Sequence, residues 1–182
     1  MWLINASTLS LELFHGENIP PYAILSHTWG AEEISFQEFT KKSGAPDRAG
    51  YAKIAATCIK ALDDGHSYVW IDTCCIEKTS SAELTEAINS MFSWYHRAEI
   101  CYAYLSDLHS GPQDDGLEVS LRKCRWFTRG WCLQELLAPQ NLVLLNQNRE
   151  AVSTKINLCA LITAWLSETN LGTQNFLFRP SS

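Results

Sequence analysis

The sequence predicts an α/β fold, a parallel sheet of about four to five strands flanked by helices. Short apolar runs of strand length alternate along the chain with longer segments whose apolar residues have helical spacing. The runs are apolar throughout, which is typical of strands covered by helices on both faces. A chain of 182 residues with 46% hydrophobic and 19% charged residues fits one globular domain with a sizeable core.

Four apolar runs predict the strands, and the residues before the first of them show no clear period. Each run is rich in β-branched, aromatic or leucine residues, and polar or turn-forming residues follow it. The predicted strands are residues 22–26, 68–71, 100–105 and 142–145.

Helical spacing predicts the segments between the strands. Apolar positions in residues 51–62 lie on one helical face. Ser80 with Glu83 forms the capping box that opens the next helix. Residues 124–137 predict a short amphipathic helix that ends before Pro139.

The last helical prediction covers residues 156–166, and the tail after it has little periodicity. We therefore expect one domain at residues 1–166 and a loosely ordered tail at residues 167–182. The amino terminus lacks the basic region and long apolar run of a signal peptide, and no run is long enough to span a bilayer. These features predict a soluble protein of the cytoplasm.

Composition argues against several kinds of partner and site. The net charge of −6 disfavours a nucleic-acid or anionic-membrane partner, because both require a basic surface. Seven cysteines without a C-x-x-C pair do not predict a disulfide framework or a structural zinc site. We expect reduced thiols and no metal site.

Polar and aromatic side chains gather where the predicted strands end. Ser26, His27 and Trp29 stand at the end of the first strand, and Asp72 directly follows the second. The carboxyl ends of parallel strands lie along one edge, where ligands bind in such sheets, so these residues predict a substrate-binding site. Structural roles are the alternative: Ser26 and His27 fit bonds to backbone groups of the loop, and Asp72 fits a loop cap.

Trp131 and Glu135 lie one helical turn apart on the third predicted helix, so we expect both on one face. The ring could stack on an organic ligand while the carboxylate accepts hydrogen bonds from its hydroxyls. In the alternative interpretation Trp131 packs in the core and Glu135 is a solvated residue at its edge. A further alternative pairs Cys75 with His27, as a thiolate and its base on neighbouring strand ends.

Four sequence blocks resemble the fungal heterokaryon incompatibility (HET) domain. They are residues 23–30, 68–76, 80–91 and 129–139. The resemblance implies a fungal source and a role in non-self recognition, in which the domain triggers regulated cell death. It also implies self-association, and an upstream receptor of the nucleotide-binding oligomerisation class as a partner.

The order of predicted strands and helices is similar to that of TIR domains, which implies a TIR-like, that is, flavodoxin-like, sheet. Residues 131–136 match the segment that holds the catalytic glutamate in TIR domains that hydrolyse NAD⁺, and Glu135 falls on that position. The resemblance implies a glycohydrolase that cleaves the nicotinamide–ribose bond, with NAD⁺ or a related nucleotide as substrate and no cofactor. The alternative is a non-catalytic homotypic interaction module that signals cell death by assembly.

One carboxylate is enough for this reaction. Nicotinamide leaves NAD⁺ as a neutral base, so the acid that protonates the leaving oxygen in ordinary glycosidases is not required. Glu135 would hold the ribose hydroxyls and stabilise the developing positive charge. Trp131 or Trp29 would stack on a ring, and Arg129 or Arg125 would pair with the pyrophosphate. A surface ion pair is the alternative role for either arginine.

Overall fold

The computed structural model describes residues 1–41, 47–111 and 113–158. Within these ranges seven strands form one sheet. The strands are β1 (Trp2–Asn5), β2 (Ser10–Leu13), β3 (Ala23–His27), β4 (Tyr68–Ile71), β5 (Ile100–Tyr104), β6 (Leu142–Leu145) and β7 (Ala151–Thr154). Their order across the sheet is β2-β1-β4-β3-β5-β6-β7.

The four predicted strands form the parallel centre of this sheet. β3 lies between β4 and β5, and β6 lies beyond β5, with every neighbouring pair parallel. The parallel strands therefore lie in the order β4-β3-β5-β6. If they are numbered 1 to 4 along the chain, this is the order 2-1-3-4. That order is flavodoxin-like, and it is compatible with a TIR-like fold. The predicted α/β fold class is therefore confirmed.

Three strands at the edges of the sheet were not predicted, and they make the sheet mixed instead of purely parallel. β1 pairs antiparallel with β2 and β4, and β7 pairs antiparallel with β6. The turn after β1 is closed by the side-chain oxygen of Asn5, which accepts from the N–H groups of Ser7 and Thr8. The two outermost strands are only partly buried, because β2 has no buried residue and β7 buries Val152 alone, so neither has a continuous apolar run.

Five α-helices lie in the described part of the chain: α1 (Phe36–Thr40), α2 (Ala49–Asp63), α3 (Ser81–Arg97), α4 (Leu117–Lys123) and α5 (Cys132–Leu137). α2 and α3 confirm the first two predicted helices. Ser80 caps α3, because its hydroxyl accepts a hydrogen bond from the N–H of Glu83 at 3.4 Å. α4 was not predicted.

The predicted continuous helix over residues 124–137 is wrong. A 3₁₀ turn at Arg125–Thr128 is followed by extended backbone at Arg129, and α5 begins only at Cys132. Gly130 is a poor helix former, which explains why the helix does not continue through it. As a result α5 has 6 residues, and Trp131 is its N-cap instead of part of its helical repeat.

The core is centred on β3, whose five residues are all buried, as expected for a strand covered on both faces. Trp70 of β4 packs edge to face against Trp94 and Tyr95 of α3, with ring centroids 5.5 Å and 6.1 Å apart. This packing fixes α3 on the sheet.

The carboxyl-terminal predictions fall mostly outside the described residues. Residues 155–158 are helical and agree with the start of the predicted helix, whereas residues 159–166 and the tail at 167–182 lie beyond the described part. Among the helices that the structure describes, none has the length and apolarity needed to cross a bilayer.

Candidate functional site

Glu135 lies on the buried face of α5 and is 3% exposed. Arg129 binds both of its carboxylate oxygens: Nη1 donates to Oε2 at 2.9 Å, and Nη2 donates to Oε1 at 3.0 Å. The Ser26 hydroxyl donates a further hydrogen bond to Oε2 at 2.5 Å. Two distant parts of the chain therefore converge on one carboxylate through charge-assisted hydrogen bonds.

Trp126 supports this carboxylate through Ser26, and sequence reasoning missed it. Its Nε1–H donates to Ser26 Oγ at 2.6 Å, and the indole is fully buried. Because the Ser26 hydroxyl accepts from Trp126 and has a single proton, that proton is directed toward Glu135. Ser26 lies 100 residues from Trp126 and 109 from Glu135 along the chain, so no local spacing could have shown the contact.

Trp131 and Glu135 lie one helical turn apart, because the N–H of Glu135 donates to the carbonyl oxygen of Trp131 at 3.1 Å. The two side chains differ in burial: Trp131 is 50% exposed, whereas Glu135 is 3% exposed. The buried face of α5 is formed by Cys132, Glu135 and Leu136, with helical spacing. The alternative, a core Trp131 with a solvated Glu135, is wrong.

Glu135 reaches the sheet at Ser26, one residue before β3 ends. β3 is the first parallel strand, and the next two, β4 and β5, lie on opposite sides of it. In doubly wound sheets the ligand crevice lies outside the carboxyl ends of the strands, at the strand from which the chain continues to both sides of the sheet. The group formed by Ser26, Arg129 and Glu135 therefore stands where such folds bind ligands.

The other predicted site residues form a second group. Ser26 and His27 are consecutive in β3, so their side chains point to opposite faces of the sheet. His27 is 2% exposed, with Nε2 3.6 Å from Glu33 Oε2 and Nδ1 3.9 Å from Asp72 Oδ1, and neither nitrogen has a hydrogen-bond partner among the described residues. Trp29 Nε1 donates to Asp72 Oδ2 at 2.8 Å. The structure thus brings together His27, Trp29 and Asp72, but on a face of β3 different from that of Ser26.

Glu33 and Lys53 belong to this second group and were also missed. Lys53 Nζ of α2 donates to Glu33 Oε1 at 2.5 Å, and the N–H of Gly30 donates to the same oxygen at 2.7 Å. Burial disfavours the charged form of Glu33, but the adjacent His27 imidazole and these two donors outweigh it and lower its pKa to about 2. Burial also lowers the pKa of Lys53. The pair joins α2 to the loop after β3.

Cys75 and His27 do not form the nucleophile and base of the alternative interpretation. Cys75 is 3% exposed, and its Sγ accepts a hydrogen bond from the N–H of Ile71 at 3.4 Å. Burial raises the pKa of the neighbouring Cys74 thiol, which makes that residue a poor nucleophile as well. In the described ranges no three or more His, Cys, Asp or Glu side chains are placed to hold a metal ion.

Arg129, and not Arg125, contacts Glu135. Arg125 is exposed, and its backbone N–H donates to Asp107 Oδ2 at 2.8 Å. Asp107 therefore joins the loop after β5 to the start of the 3₁₀ segment. Arg129 is the arginine available for the chemistry of this site.

Comparison with known proteins places the chain in a family. A family model described as heterokaryon incompatibility protein (HET) matches residues 22–120, a range that ends before α5. The chain is also 45% identical over 150 residues to the vegetative incompatibility protein HET-E-1 of Podospora anserina. The chain therefore belongs to the HET family. The matched region is 79% of this chain but 11% of HET-E-1, and no solved structure matches the chain.

Proposed function

We propose that this chain is an effector of fungal non-self recognition that promotes regulated cell death by hydrolysing NAD⁺ in the cytoplasm. Membership of the HET family and the identity to a vegetative incompatibility protein support the biological role. One observation supports the proposed NAD⁺ hydrolysis: the Glu135 carboxylate is buried beside the carboxyl end of β3 and is bound there by Ser26 and Arg129.

In the proposed reaction Glu135 acts on the ribose that carries nicotinamide. Its oxygens accept hydrogen bonds from the ribose hydroxyls and stabilise the positive charge that develops as the bond to nicotinamide breaks. Nicotinamide leaves with the bonding electron pair as a neutral base, and water adds to the ribose carbon and loses one proton to solvent. Ser26 orients the carboxylate, and Trp126 orients Ser26. NAD⁺ is the substrate, and the reaction uses no cofactor.

Further substrate contacts follow from position and charge. Trp131 presents a half-exposed ring for stacking, and Arg129 suits the pyrophosphate because its guanidinium matches phosphate geometry. His27, Trp29 and Asp72 are proposed to contact the part of a dinucleotide that extends across the end of β3. Trp29 is the accessible member of that group, with half of its side chain exposed.

The partners of the chain are also part of the proposal. We propose self-association, and activation by an upstream receptor of the nucleotide-binding oligomerisation class, as the family resemblance implies. Nucleic acids and membranes are not proposed as partners, because the net charge of −6 disfavours both.

A second candidate function is a non-catalytic interaction module. Its support is an apolar α3/α5 surface formed by Ile88, Phe92, Leu133 and Leu137, whose side chains are all about half exposed. α3 and α5 pack against each other, so these side chains lie on adjacent helices. Exposed apolar surfaces of this kind mark sites of protein association. Association and catalysis are compatible, because assembly could itself complete the active site.

Nicotinamide release from NAD⁺ tests the enzymatic proposal. The purified protein, at high concentration and with a crowding agent to promote assembly, is compared with Glu135→Gln and with Glu99→Gln, which changes an exposed glutamate just before β5. We expect release by the unaltered protein and by Glu99→Gln, and none by a folded Glu135→Gln protein. Turnover that persists in folded Glu135→Gln would place the chemistry elsewhere. No turnover by any of the three would favour the interaction module.

A further inference from the structure

Arg129 and Ser26 occupy three of the roughly four acceptor positions of the Glu135 carboxylate. Each carboxylate oxygen accepts a guanidinium N–H, and Oε2 also accepts the Ser26 hydroxyl. The Glu135 side chain is 5% exposed and that of Arg129 is 20% exposed. A ribose hydroxyl that approaches Glu135 therefore meets a carboxylate whose strongest acceptor positions are already occupied.

Arg129 is the partner that a ligand can displace. Ser26 belongs to a buried central strand and is itself held by Trp126, so it cannot withdraw from Glu135 without disturbing the sheet. Arg129 stands on extended backbone between a 3₁₀ turn and α5, followed by Gly130. Its long side chain can rotate away while the backbone stays in place.

Displacing Arg129 is unfavourable unless the guanidinium finds another anion. Separating this largely buried ion pair leaves Arg129 without an anion and Glu135 with only the Ser26 hydroxyl, which is strongly destabilising. A nucleoside can supply hydroxyls to Glu135 but has no anion for Arg129. A ligand that also carries a phosphate or pyrophosphate supplies both replacements, because the planar guanidinium binds phosphate oxygens in the same two-pronged way as a carboxylate.

We propose that a phosphate group of the ligand must displace Arg129 from Glu135 before Glu135 can bind a ribose, and we call this arrangement of the Arg129–Glu135 pair the lock. The lock makes the site selective for phosphorylated ribosides over plain nucleosides, with Arg129 as the specificity-determining residue. For its substrate class this inference rests on the proposed NAD⁺ hydrolysis. Phosphate binding to Arg129 and release of Glu135 are then two parts of one event. Glu135 and a phosphate compete for the same guanidinium.

Binding of inorganic pyrophosphate, measured by calorimetry, tests the lock without any need for turnover. Glu135→Gln removes the competing charge with little change of shape, so it should bind pyrophosphate about tenfold more tightly than the unaltered protein, a usual size for coupling between two sites. The double variant Arg129→Gln/Glu135→Gln should lose that gain. Arg122→Gln, which breaks an exposed arginine–glutamate pair on α4, should bind as the unaltered protein does. Equal affinity of Glu135→Gln and the unaltered protein would overturn the proposal.

Turnover separates this inference from the proposed function. The unaltered protein should release nicotinamide from NAD⁺ in strong preference to nicotinamide riboside, and Arg129→Gln should narrow that preference. Equal release from both compounds by both proteins would reject the lock and leave the hydrolase intact. The predicted pyrophosphate result without any nicotinamide release would support the lock and reject hydrolysis of NAD⁺ instead. Circular dichroism shows whether each variant is folded. If Arg129→Gln does not fold, the pyrophosphate affinity of Glu135→Gln still tests the lock.

Discussion

Two carboxylates near the end of β3 depend on donors from distant parts of the chain. Glu135 accepts from Ser26 and Arg129, and Glu33 accepts from Lys53 of α2. Neither side chain is freely solvated, so the loss of a partner would leave a largely buried carboxylate with fewer hydrogen bonds. At the residue scale, these donors decide both the chemistry of the site and its response to acid.

Glu33 should make the protein sensitive to acid. Its pKa of about 2 in the folded state lies below the usual 4.5, so its contribution to stability is present above the higher value and is lost as the pH falls toward the lower one. Glu33→Gln should therefore reduce the loss of unfolding free energy across this range. Urea denaturation at a series of pH values measures the effect, with Glu99→Gln as the control at an exposed glutamate. An acid response of Glu33→Gln equal to that of the unaltered protein would contradict the account.

At the scale of elements, the sequence predicts what is long or fully buried and misses what is short. β4 and β6 have the predicted bounds because a strand buried on both faces is apolar at every position. α5 differs from its prediction, because a helix of 6 residues can bury a glutamate on its inner face and expose Leu133 and Leu137. Periodicity cannot reveal this arrangement, since only tertiary contacts supply the partners that make a buried carboxylate tolerable.

The position of the loop after β3 depends on Gly50 in the first turn of α2. A Cβ at this position would collide with the backbone oxygen of Glu32, so the loop can approach the helix only because the residue is glycine. Gly50→Ala should therefore destabilise the protein by roughly 1–3 kcal/mol, the usual range for overpacking, although alanine is the better helix former.

Ala52→Gly is the matched control for this substitution, at an exposed position of the same helix. It should cost only about 1 kcal/mol, from helix propensity alone. Chemical denaturation gives both values. A Gly50→Ala protein that is more stable than the unaltered one would show that the loop does not need this close approach.

At the scale of the whole molecule, the candidate site and the surface suited to association lie in different places. The candidate catalytic residues meet at the end of β3, whereas the apolar α3/α5 surface lies on the outside of two helices. The sequence predicts the four central parallel strands and thus the edge where the candidate site lies. The sequence does not predict which candidate side chains lie on which face of β3, because this depends on where the strand ends and on contacts made by the loops.

The apolar α3/α5 surface should drive the proposed self-association. Phe92→Glu places a charge in the middle of it and should shift the monomer–oligomer equilibrium toward the monomer, because a buried unpaired charge disfavours the assembled state. Sedimentation velocity at increasing protein concentration measures the shift. Ile59→Glu, at an exposed apolar position of α2, serves as the control and should leave the equilibrium unchanged. Equal effects of both substitutions would contradict a specific surface.

The central claim is that Glu135 breaks the nicotinamide–ribose bond of NAD⁺. The most direct test is the rate of nicotinamide release by the assembled protein and by Glu135→Gln, both verified as folded. Electrostatic stabilisation by a single preorganised group accounts for about 10²–10³ in rate, so the account predicts a loss of at least that size in the variant. A Glu135→Gln protein that releases nicotinamide at the rate of the unaltered protein would contradict it.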